Sequence, residues 1–202
     1  MSIQWILFCP QLPATPSSPR VTIWRRMRSM GSVGLDNGVW VLPKSEISQE
    51  FIREMRDYVA AQGGTSSTFV ADAMEVETER TILERFRQDR DEEYAEIKEQ
   101  CADLLVELEK ETRRGNFSFA EYEENEQDLN KLENWFEKVK KRDFLQSPQQ
   151  QATMEWLDQC RGALQVFTAE VFKNEDHDHE HKMRFDPGVV SDPKGVKDHK
   201  TE

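Results

Sequence analysis

Apolar positions in the first 75 residues fall into short unbroken runs separated by helical stripes. Ile3 to Cys9 form an apolar, aromatic run with the length and composition of one buried strand. Four prolines between Pro10 and Pro19 then interrupt regular structure. Ser17 or Ser18 is placed to cap a helix with Pro19 in its first turn. That helix carries Val21, Ile23, Trp24, Met27 and Met30, with Trp24 expected in the core, and ends at Gly31. Val33 to Leu35 and Val39 to Pro43 flank Asp36-Asn37-Gly38, a hairpin signal. A second helix, capped by Ser45 or Ser48, presents Phe51, Ile52, Met55, Tyr58 and Val59 and stops at Gly63-Gly64. Ser67 to Ala71 is a last short strand. This order predicts an α+β fold: a ferredoxin-like βαββαβ domain over residues 1–75, an antiparallel sheet with both helices on one face.

From Thr78 the period changes to that of long helices. Ile82, Phe86, Ile97, Cys101, Leu104, Leu105 and Leu108 recur at helical spacing up to Arg114, where Gly115-Asn116 turns the chain. Ser118, with Glu121 three residues on, starts a helix with Tyr122, Leu129, Leu132, Trp135, Phe136 and Val139. Ser147-Pro148 starts another, with Met154, Trp156, Leu157, Cys160, Leu164, Phe167 and Val171. The expectation is an antiparallel three-helix bundle over 76–173, packed on the sheet domain, followed by a disordered polar tail over 174–202.

Charge sharpens this division. The chain is 33% charged and 37% hydrophobic, which suits solvated helices. The net charge of −12 falls entirely after residue 75, because the first 75 residues carry seven basic and seven acidic side chains. An acidic face repels phosphate, so any nucleic-acid contact is confined to the first part. No apolar run approaches the ~20 residues of a membrane span, and a cytoplasmic location is expected. Cys9, Cys101 and Cys160 are far apart and show neither a disulfide framework nor zinc spacing.

Three groups of residues carry candidate chemistry. Arg20, Arg25, Arg26 and Arg28, with Ser17 and Ser18 at the helix start, suit an anion or nucleic-acid contact, since guanidinium groups fork onto phosphate or chromate oxygens. The competing reading is a solvated face pairing with acidic groups of the bundle. Arg85, Arg87, Arg90, Asp91, Glu93 and Tyr94 form a charged knot in which Arg87 and Asp91, and Arg90 and Tyr94, share helix faces. It is expected either as a polar network or buried anion site docking the bundle on the sheet, or as surface ion pairs worth about 0.3–0.5 kcal/mol each. His177, His179 and His181 alternate with acids and suit weak, adventitious metal binding. The fourth histidine is His199, so residues 1–176 cannot form a histidine-based triad. With no phosphate-binding glycine loop either, no enzyme and no cofactor is expected.

The order of several short stretches resembles the N-terminal domain of the chromate-resistance regulator ChrB. They are Trp5-Ile6-Leu7 with Leu12-Pro13, Ser17 to Val21 running into Trp24 to Met27, Gly31, Gly38 to Pro43 and Gly63-Gly64. They continue with Phe86, Arg90-Asp91, Glu93-Tyr94, Asn116 to Phe119 and Arg142-Asp143-Phe144. The first part is also similar to the Cas2-like module of PaaX-type repressors. The resemblance implies a transcriptional regulator responding to chromate, with DNA or the chromate oxyanion as partner. The acidic bundle offers the alternative of a non-catalytic interaction module with a protein partner, or of a homodimer.

Overall fold

The computed structural model describes residues 3–35 and 38–184, with side chains through residue 175. Its elements are β1 (Trp5–Gln11), α1 (Ser18–Ser29), β2 (Val33–Gly34), β3 (Trp40–Pro43), α2 (Glu46–Ala61), β4 (Thr65–Ala71), α3 (Val76–Arg114), α4 (Phe119–Lys141) and α5 (Gln149–Arg184). The fold is α+β: one four-stranded sheet in the order β2-β3-β1-β4, with every neighbouring pair antiparallel. Pro10 lies within β1 but beyond its last pair with β3, Phe8 with Trp40, where β1 has only β4 as a neighbour.

Alternation along β1 sends its side chains to two different cores. Ile6 and Phe8, with Leu42, pack against Ile23 and Met27 of α1 and Ile52, Met55 and Val59 of α2. Trp5, with Val33 and Val41, packs on the other face against Ile82 and Phe86 of α3, and the Trp5 and Phe86 rings stack at 5.6 Å. Past Phe86 the same helix leaves the sheet and joins α4 and α5. There Tyr94, Ile97, Cys101, Leu104 and Leu108 meet Leu129, Phe136, Leu157, Cys160, Phe167 and Val171. A fully buried aliphatic or aromatic side chain of this kind contributes roughly 1.5–3 kcal/mol. Helix α3 therefore belongs to both units and fixes one to the other.

Local signals act as their chemistry dictates. The Ser45 hydroxyl accepts the Ser48 N–H at 3.1 Å, and Ser118 accepts that of Glu121 at 3.3 Å. Gly115 ends α3 in the left-handed conformation at φ 67°.

Three expectations are corrected. Trp24 is 56% exposed and not in the core. The inward face of α1 is set by Pro19, Ile23 and Met27 at four-residue steps, and Trp24 is turned about 100° from Ile23. The last strand begins at Thr65, two residues earlier than its apolar run. Helix α5 continues past Lys173 to Arg184, since residues 174–184 contain neither proline nor glycine to stop it. Asp36 and Asn37 of the expected hairpin turn, and residues 185–202 of the expected tail, lie outside the described residues.

Candidate functional site

The inward stripe of α3 steps through Ile82, Phe86, Arg90, Tyr94, Ile97 and Cys101. One core position of an otherwise apolar stripe is thus an arginine, only 4% exposed. It lies where the apolar contacts pass from the sheet to the bundle, and burying a guanidinium there demands partners.

Charged groups converge on it from three directions. On α3 itself, Glu93 brings a carboxylate oxygen to 2.5 Å from Arg90 Nη1. From beyond the C-terminus of α4, Arg142 grips the same carboxylate with Nη2 and, at 3.3 Å, Nε. From α1, Arg28 donates to Asp89 at 2.9 Å. The close approach of Arg90 to Glu93 lacks the angle of a hydrogen bond, so the buried Nε and Nη1 of Arg90 have no hydrogen-bond partner. Burial lowers the Arg90 pKa from its ordinary value, Glu93 opposes that shift, and Arg142 adds to it.

A second strand of the network lies beside it. Tyr94 donates to Asp143 Oδ2 at 3.2 Å, and the same oxygen accepts the Ser147 N–H at 2.8 Å. Ser147 in turn donates to Asp91 at 2.5 Å and accepts the Gln149 N–H at the start of α5. Burial and then Asp143 push the Tyr94 phenol well above its ordinary range, so it remains a donor. The Oδ1 atom of Asp143 is buried without a partner. Backbone geometry closes the junction: Gly31, at φ +79°, passes so near Arg142 that a Cβ there would sit 2.8 Å from the Arg142 Cβ.

The structure brings together Arg90, Asp91, Glu93 and Tyr94. Arg85 and Arg87 point outward from the same helix and take no part. Arg142, Asp143 and Ser147 join the site as well; the sequence marks the first two only within the family resemblance and Ser147 only as a helix start.

The α1 arginines do not converge. Arg20 donates to the Ala14 carbonyl at 2.7 Å, Arg26 pairs with Glu54 at 3.2 Å, and Arg28 reaches α3. Arg25 is exposed, as are Ser17 and Ser18, and Ser17 makes no side-chain cap. The side chains of His177, His179 and His181 lie outside the described residues. Among the described residues no cluster of three or more His, Cys, Asp or Glu side chains is placed to hold a metal ion. Nor, among them, is any helix long and apolar enough to cross a membrane.

A separate groove of about 840 Å³ runs between α3 and α4. Its charged walls are mostly carboxylates, among them Glu96, Glu99, Asp103 and Glu124, with Lys110, Arg114 and Lys131 interspersed, and Leu104, Leu132 and Trp135 also line it.

No curated protein and no solved structure matches the chain at a significant level. The family model described as Protein ChrB, N-terminal, matches residues 20–178, from α1 through the bundle and including every residue of the Arg90 junction. With most of its length covered by that match, the chain belongs to the ChrB N-terminal family.

Proposed function

We propose that the chain is a non-catalytic, cytoplasmic regulatory module that controls transcription of chromate-resistance genes in response to chromate. Its sheet unit, with strand order β2-β3-β1-β4, is taken as ferredoxin-like. Family membership associates the chain with chromate resistance. The observation that carries the regulatory reading is the buried Arg90, wedged with unpaired N–H groups where the sheet unit meets the bundle. One carboxylate, Glu93, serves two guanidinium groups there. A doubly charged oxyanion such as chromate competes with Glu93 for those forks, and releasing Glu93 loosens the contact between the two units.

Titration calorimetry with chromate, and with sulfate as a comparison, tests this. Glu93→Gln removes the competing charge and is expected to tighten chromate binding, whereas Arg142→Met is expected to abolish it. No chromate heat in the wild type, or weaker binding by Glu93→Gln, refutes the oxyanion reading. Unchanged expression of chromate-resistance genes in cells lacking the chain, with or without chromate, refutes the regulatory one.

The groove between α3 and α4 favours a second reading, an interaction module. Its net-acidic walls, with Leu104, Leu132 and Trp135, suit a basic amphipathic helix of a protein partner. This route to transcription needs no DNA contact by α1, three of whose arginines have intramolecular partners. A gel shift with DNA upstream of the chromate-resistance genes separates the two routes: a shift abolished by Arg25→Ala assigns direct contact to α1.

A further inference from the structure

Strand β4 is the edge of the sheet, and its outer side has no neighbour among the described residues. All seven of its residues pair with β1, from Thr65 with Gln11 to Ala71 with Trp5, without a bulge. It has none of the devices that block an edge: no charged side chain, no proline and no short length. Phe69 is 55% exposed and Val70 52%. Met74 and Val76, just beyond the strand, are more exposed still. In a chain with a third of its residues charged, an uncharged and partly apolar edge is a selective feature.

We propose that β4 pairs with β4 of a second copy of this chain, antiparallel about a two-fold axis at Thr68, joining two sheets into one of eight strands. The self-pairing register is favourable. Phe69 faces the small Ser67 of the second copy, and the two Phe69 rings become diagonal neighbours across the axis, within aromatic reach. Val70 faces Ser66, and Thr65 faces Ala71. Asp72, the first charge after the strand, falls opposite Gly64, so the carboxylates of the two copies do not meet. Charge also selects this surface. Two copies of a −12 chain repel through their bundles, whereas the first 75 residues are neutral. The isologous two-fold is the commonest arrangement of soluble oligomers. Seven residues extend about 24 Å, which places the contact near the small end of the roughly 1,200–2,000 Å² of specific interfaces. Dissociation in the micromolar range is therefore expected.

Sedimentation equilibrium of the whole chain from about 1 to 200 µM, and oxidative cross-linking of Thr68→Cys in a Cys9→Ser background, test the pairing. Expected are a monomer–dimer equilibrium and a covalent dimer through position 68, where the axis sets the two Cβ atoms about 4.5–5.5 Å apart. Phe69→Lys puts two cations near the axis and is expected to weaken dimerisation at least tenfold. Thr68 and Phe69 are exposed, so unchanged circular dichroism and melting temperature show that each variant folds. A wild type monomeric throughout, a dimer indifferent to Phe69→Lys, or a dimer that does not cross-link through position 68 overturns the proposal.

Discussion

Replacing Arg90 by methionine is expected to leave the fold about as stable as the wild type or more so. The Arg90 side chain is 5% exposed, and two of its buried nitrogens lack hydrogen-bond partners. Each such donor costs about 1–3 kcal/mol. What it gives in return is one ion-pair contact with Glu93 that is not a hydrogen bond, worth at most the about 1.5–3 kcal/mol of a charge-assisted one. Methionine fills similar space without the desolvation cost, and Glu93 keeps both hydrogen bonds from Arg142. The expected change therefore runs from a loss of about 1 to a gain of about 4 kcal/mol. Arg142→Met has the opposite sign: it strips those hydrogen bonds from Glu93 and is expected to cost about 1–3 kcal/mol. The double variant leaves a carboxylate that is 25% exposed without a cation and is expected to cost about 3–5 kcal/mol. Urea unfolding of the four proteins at pH 7, followed by circular dichroism, gives the coupling directly. A loss above about 2 kcal/mol for Arg90→Met would show that its burial is compensated, and additive single changes would show that Arg90 and Arg142 do not share Glu93.

Gly31→Ala forces a side chain into a positive-φ position and against the Cβ and carbonyl of Arg142 at 2.8 and 3.0 Å. A loss of about 2–4 kcal/mol and a fall in Tm of roughly 5–12 °C are expected in a thermal melt; a shift under 2 °C would contradict that packing. Asn116, and then Arg114 and Lys110, hold the Glu111 carboxyl below its ordinary value of 4.5. A folded-state pKa below the unfolded one gives stability that is present above about pH 4.5 and lost as pH falls below it. Glu111→Gln should flatten that part of a stability–pH profile measured from pH 6 to 3, and an unchanged acid limb would count against the assignment. Trp24→Ser is expected to change stability by under about 0.5 kcal/mol, and Ile23→Ala to cost about 2–5 kcal/mol. Denaturant melts showing the reverse ranking would put Trp24 back in the core.

Much of the fold is legible because short-range chemistry decides it. The Ser45 and Ser118 caps, the Gly115 stop and the strand–helix order each follow from a few adjacent residues. Where the local pattern is ambiguous, tertiary contacts decide. Trp24 and Ile23 are adjacent apolar residues, and only the line through Pro19 and Met27 shows which faces the sheet. The site divides in the same way. Arg90 stands at a step of the apolar stripe, four residues from both Phe86 and Tyr94, a spacing that allows the buried network while the charge of the side chain leaves surface ion pairs open.

What answers Arg90 leaves no such mark. Glu93 is one helical turn away, but Arg142 reaches it from 49 positions along the chain, and Ser147 reaches Asp91 from 56. Both lie in the connection between α4 and α5, where no periodicity exists to phase a side chain. Only the packing of α3 against both the sheet and the bundle brings that connection to Arg90 and Gly31. The edge of β4 obeys the same logic. Its uncharged sequence is visible along the chain, but it becomes a free surface only once the order β2-β3-β1-β4 places it outermost. In both places composition says what a residue can do, and the long-range pairing decides whether it meets a partner within the chain.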